Sequence, residues 1–181
     1  MAEILLSSEA FVKSVTSVSD NLSGKYILPS LREAQEVGLR GILGDDLLRK
    51  LKTLIKDGDL ETYSGGAYKT LVDRCQYYLA YKTIVEVTNK VSYKIGNFGV
   101  TKTQDENLQV ATQDEIAKMQ YYYQSKADAC CLDLQNYLLD NRAAYPELTE
   151  CICHKIESNL HSAASCGLFL GGARGRKLPR R

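Results

Sequence analysis

Apolar residues recur every three or four positions through most of this chain, and the places where that rhythm fails divide it into elements. After Ser7-Ser8, the spacing of Phe11, Val12, Val15 and Val18 predicts a short helix, followed by a polar loop over 20–24. Ile27, Leu31 and Ala34 set the stripe of a second helix. Pro29 suits its first turn, where a missing N–H costs nothing, and Gly38 and Gly41 loosen its end. Gly44-Asp45-Asp46 then restarts the chain as a tight turn. The two acids fall at a helix N-terminus, where negative charge is favourable, and Leu47, Leu48, Leu51, Leu54 and Ile55 form the next stripe. Asp57-Gly58 and Ser64-Gly65-Gly66 bound the loop after it.

A longer helix is predicted from residue 67 to about 91, buried along Tyr68, Leu71, Val72, Cys75, Tyr78, Leu79 and Val85. At Ser92 the period changes. Tyr93 and Ile95 alternate with polar neighbours and glycines interrupt, so 92–110 reads as a β-hairpin or extended excursion that turns near residues 104–107. Thr112-Gln113-Asp114-Glu115 is a capping-box pattern. It opens a helix reaching about residue 141, with Ile116, Met119, Tyr123, Ala127, Cys130, Leu134 and Leu138 on one stripe. At ~1.5 Å per residue this helix spans about 45 Å, long for a small domain and suited to a strut or an intersubunit face. Tyr145-Pro146 ends it. Beyond, Leu148, Ile152, Ile156 and Leu160 are four apart, which favours a helix, while 162–172 looks extended. The predicted fold is mainly α: a helical bundle with two long helices, a β-hairpin or extended excursion between them, and an extended C-terminal arm. Residues 1–147 form the helical domain and 148–181 the arm.

Charge adds an asymmetry. The net charge is +1, but Arg174, Arg176, Lys177, Arg180 and Arg181 place +5 in the last eight residues, leaving −4 for 1–173. A mildly acidic body with a basic tail suggests an anionic partner or a docking role for the tail, the alternative being a solvated, disordered terminus. No apolar run approaches the roughly 20 residues of a membrane span, and Ile4-Leu5-Leu6 is too short for a signal-peptide core. The six cysteines therefore belong to a reducing compartment.

The sharpest chemical candidate is Cys151-x-Cys153-His154 with His161 and Cys166, a candidate set of zinc ligands. A single residue between the two cysteines strains a tetrahedral chelate, so reduced structural cysteines are the better reading. Neither histidine lies in a cysteine-nucleophile motif, and no phosphate-binding loop is present. No cofactor is expected. The twelve tyrosines change the picture more. Tyr77, Tyr78 and Tyr81, and again Tyr121, Tyr122 and Tyr123, put phenols on more than one face of each long helix. One of each set can be core, and the others need another surface or solvent, since tyrosine at interfaces pairs an apolar ring with a tip that can be wet. Tyr121 and Tyr122 are the interface candidates on the last long helix. Phe98 and Val100, in the glycine-flanked excursion, are poorly placed for a helical core and are expected to touch a neighbouring subunit. Leu168, Phe169 and Leu170 would anchor the arm, with Arg174, Arg176 and Lys177 as rim charges.

The run Ser30-Leu31-Arg32-Glu33-Ala34-Gln35-Glu36-Val37-Gly38-Leu39 followed by Gly41-Ile42-Leu43-Gly44-Asp45-Asp46-Leu47 resembles the head–tail connector (adaptor) proteins of tailed bacteriophages, especially those of crAss-like phages of Bacteroidetes. Members carry a similar helix with an Ala-Gln-Glu element and a Leu-Gly-Asp turn, then two long helices around an excursion. The likeness covers about 25–141. It implies a non-enzymatic virion protein: a homo-oligomeric ring, twelve copies in that family, bound beneath the portal and continuing the DNA channel toward the tail. Its implied partners are the portal, neighbouring ring or tail proteins and, non-specifically, channel DNA, with no membrane. The implied location is the virion, and the host cytoplasm during assembly. The alternative is a small helical nucleic-acid-binding protein that uses the basic tail.

Overall fold

The computed structural model describes residues 4–19, 21–96, 99–102, 112–148 and 156. Its axis is a pair of long helices, α5 (Ala67–Ser92) and α6 (Gln113–Asp140). They run antiparallel. Lys82 Nζ meets Gln124 Oε1 at 3.1 Å, Arg74 meets Asp133 at 2.6 Å, and the Tyr145 hydroxyl donates to the Ala67 carbonyl at 2.9 Å. The predicted capping box opens α6: Thr112 Oγ1 accepts from the Glu115 N–H, and Glu115 Oε2 accepts from the Thr112 N–H at 2.7 Å. Two orphan donors are thereby satisfied at a solvent-exposed end.

The preceding elements wrap this pair. Helix α1 (Glu9–Val15) is capped by Ser8, and α2 (Gly24–Glu33) by Ser23. Helix α2 passes without a break into a π-helical segment, Ala34–Leu39, and then into α3 (Arg40–Leu43). Gly44, at φ 79°, turns the chain into α4 (Asp45–Asp57), which begins on the two predicted acids and stops at left-handed Gly58. Leu47, Leu48, Leu51 and Leu54 of α4, Ile27 and Leu31 of α2, and Leu71, Val72, Cys75 and Leu79 of α5 share one buried core. Each leucine so buried contributes about 1.5–3 kcal/mol. Leu148 and Ile156 lie in the same core.

Three local expectations need correction. Pro29 is not in a first turn. Helix α2 begins at Gly24, so Pro29 is an interior residue and cannot donate to the Lys25 carbonyl. Gly38 does not loosen a helix end. It lies where a Cβ would collide with the Tyr78 hydroxyl, so its bareness lets the π-helical segment approach α5 closely. The stripe predicted for α6 starts late: Met119 is exposed and Ile116 only half-buried, and full burial begins at Tyr123. In the 92–110 region, β1 (Tyr93–Gly96) pairs antiparallel with β2 (Gly99–Lys102), with Ile95 opposite Val100 and Gly96 opposite Gly99. Residues 97–98, which join the two strands, and the expected turn at 104–107 lie outside the described residues.

Candidate interaction surface

Helix α6 carries two kinds of surface along its length. Tyr123, Ala127, Leu134 and Leu138 are buried against the bundle. Met119, Tyr122 and Lys126 follow at i, i+3 and i+7, which makes a second stripe beside the buried one. Met119 is 44% and Tyr122 52% exposed. Lys126 binds this stripe together, with its ammonium 4.5 Å from the centre of the Tyr122 ring and 5.2 Å from that of Tyr81. The Tyr122 phenol holds the Lys126 ammonium above its ordinary range. Further along, the stripe runs into an open depression of about 480 Å³ lined by Arg74, Tyr77, Ala129, Cys130 and Asp133. The Arg74 guanidinium sits 4.4 Å over the Tyr137 ring there.

The two tyrosine sets divide as expected. Tyr78 and Tyr123 are core, whereas Tyr77, Tyr121 and Tyr122 are exposed. Tyr121 and Tyr122 do not act together, however. Consecutive helical residues point about 100° apart, so Tyr122 joins Met119 and Lys126 while Tyr121, 78% exposed, faces away from the bundle. Tyr77 is edge-on to Phe11 at 5.4 Å. Val100 is in β2, opposite Ile95. Phe98, Leu168, Phe169, Leu170, Arg174, Arg176 and Lys177 lie outside the described residues, as do Cys151, Cys153, His154, His161 and Cys166. Sequence reasoning misses Met119 and Lys126 as surface residues. Their i, i+3, i+7 relation to Tyr122 is the available signal, but Met119 also fits the buried period.

Burial pushes the Cys75 thiol up, and burial aided by nearby Asp133 and Asp128 does the same for Cys130 and Cys131. Such thiols stay protonated at neutral pH and are poor nucleophiles. Among the described residues, no group of three or more His, Cys, Asp or Glu side chains is placed to hold a metal ion. No described helix is long and apolar enough to cross a membrane.

The other end of the α5–α6 pair is a second tyrosine cluster, fully occupied. Tyr68 donates to Glu147 Oε2 at 2.6 Å, and the Tyr145 hydroxyl lies 2.9 Å from that of Tyr137. Tyr68 and Tyr145 meet edge to face at 5.3 Å. Burial, with Glu147 beside Tyr68 and Tyr137 beside Tyr145, pushes both phenols up. This cluster is structural, since its polar atoms are spent inside the fold.

No curated protein and no solved structure matches this chain. A family model does match, over residues 39–157, which takes in α4, α5, the hairpin strands and α6. The chain belongs to that family, described as Family of unknown function (DUF6712).

Proposed function

We propose that this protein is a non-enzymatic structural component of a tailed-phage virion, a head–tail connector that forms a ring beneath the portal and continues the DNA channel. The observation that carries the reading is the Met119–Tyr122–Lys126 stripe, left uncovered along the first half of a 28-residue helix. Aromatic, Met and cationic groups at helical spacing are what a protein partner buries. The resemblance around Ala34-Gln35-Glu36 and Leu43-Gly44-Asp45 supplies the kind of assembly: a homo-oligomer, twelve copies in the connector family.

In this reading the stripe packs against a neighbouring subunit, and the hairpin excursion brings Phe98 and Val100 to the same neighbour or the next ring. The 148–181 arm docks on the portal through Leu168, Phe169 and Leu170, with Arg174, Arg176 and Lys177 on an acidic rim. The protein is then found in the virion at the portal–tail junction, and in host cytoplasm during assembly. Mixing the purified protein with its portal and imaging by negative stain should show an added ring. Absence of the protein from purified virions by mass spectrometry would reject the proposal. Binding to DNA with a steep salt slope, and none to portal, would favour the nucleic-acid alternative.

A further inference from the structure

The segment Ile4–Leu6 is held as a bound peptide is held. It belongs to no helix, and its backbone is satisfied by side chains rather than by a strand. The Leu6 N–H donates to Gln35 Oε1 at 2.8 Å, Gln35 Nε2 donates to the Ile4 carbonyl at 3.1 Å, and Gln76 Nε2 donates to the Leu6 carbonyl at 2.9 Å. The Leu6 side chain is buried in the core. Gln35 is itself fully buried, and its second amide proton goes to Glu36 Oε1 at 3.2 Å, which fixes its orientation. A primary amide has one carbonyl and two N–H groups, and Gln35 directs a C=O and an N–H at this one segment. Gln35 lies on the π-helical segment, where an i→i+5 bond joins the Arg40 N–H to the Gln35 carbonyl. Such segments concentrate at functional positions.

The stretch after Leu6 packs as a unit on the same chain. Val12 of α1 is buried, Phe11 meets Tyr77, and Ser17 bonds the Tyr123 hydroxyl through its N–H at 3.2 Å and its Oγ at 2.6 Å. The unit joins α2 through a polar turn in which the Leu22 N–H donates to the Ser19 carbonyl at 3.0 Å. Its partners named here are on the π-helical segment, α5 and α6. An identical unit from another copy would make the same contacts, and only the turn and the local concentration would distinguish the two arrangements.

We infer that the Gln35–Gln76 cleft is a receptor for residues 4–18 of a second copy of this chain, so that neighbouring subunits exchange this arm. Held side by side, two copies present the arm at the millimolar effective concentrations that make exchange competitive with the intramolecular state. The inference deepens the assembly reading, but its test does not depend on a portal or a virion.

The test uses two full-length variants. Leu6→Asp disables the arm and leaves the cleft, whereas Gln35→Ala with Gln76→Ala disables the cleft and leaves the arm. Tagged Leu6→Asp protein should retain the untagged cleft variant at least tenfold more than it retains a cleft variant that also carries Leu6→Asp. Equal retention overturns the inference. If Leu6→Asp does not fold alone, its helical circular dichroism should return on adding the cleft variant and not on adding the triple variant. No return likewise overturns it. Arm exchange without any portal ring would remove the connector reading and leave this one standing, and a portal ring with equal retention would do the reverse.

Discussion

Tyrosine is used in opposite ways at the two ends of the α5–α6 pair. At one end Tyr68 and Tyr145 are 1% exposed and spend their hydroxyls on Glu147, Tyr137 and the Ala67 carbonyl. At the other, Tyr121 and Tyr122 are exposed, and a lysine lies over the Tyr122 ring. The residue type is the same and the helices are the same. The difference lies in whether neighbours supply polar partners along with apolar contact. A buried phenol with a partner specifies the fold, whereas an exposed one costs the fold little and remains available to another molecule.

That contrast would break if the first cluster proved dispensable. Replacing Tyr145 by Ala should cost about 3–5 kcal/mol in urea unfolding, because it removes a buried ring and takes the hydroxyl away from the Ala67 carbonyl. A variant unchanged in midpoint would mean the cluster is ornamental. Tyr145→Phe sharpens the point by keeping the ring and removing the hydroxyl. A loss of about 1–3 kcal/mol is expected, the range for a buried polar partner left unsatisfied.

Glu36 is an intermediate case, with a quarter of its side chain exposed, paired to Lys52 at 2.5 Å and Arg40 at 2.7 Å. The hydrogen bond from Lys52 holds its carboxyl below the ordinary value of 4.5. A carboxyl depressed in the folded state stabilises the fold above its unfolded value. That contribution is lost as pH falls below 4.5 and through the folded value. Glu36→Gln should therefore cost no more than about 1 kcal/mol at neutral pH, and the difference from wild type should shrink in unfolding curves taken at successively lower pH. A difference that grew on acidification would contradict this sign.

The smallest effect on stability is expected where the effect on assembly is largest. Met119→Ser with Tyr122→Ser should move unfolding by no more than about 0.5 kcal/mol, while association with portal or with other copies falls away. Tyr121→Ser separates the two faces of α6: if only the Met119–Tyr122–Lys126 stripe is buried in a partner, this change should leave association intact.

Much of the bundle is legible in the sequence because burial on one helical face leaves a period that can be counted. The leucines of α4, the Tyr68–Leu79 stripe and the split within each tyrosine set all follow from it. The Thr112–Glu115 capping box is legible because it is a local device with its own spacing. The illegible features depend on contacts between distant parts of the chain. Gln35 reads as an ordinary polar position, and only the folded chain shows it buried against Ile4 and Leu6. Gly38 carries no mark that Tyr78 will lie over it. Met119 satisfies the period of α6 but lies where the bundle no longer covers that face.

Helix α6 is also a lever. Its first fully buried residue is Tyr123, and the eleven residues back to Thr112 extend from it as a stiff beam of about 16 Å. Tilting that beam by about 5° at Tyr123 moves its tip by about 1.4 Å, enough to spoil a packed contact. Angular accuracy is thus set at the fulcrum, where Ser17 grips the Tyr123 hydroxyl and the Tyr81 ring stacks on it. Ser17 thereby sets the pitch at which the beam leaves the bundle.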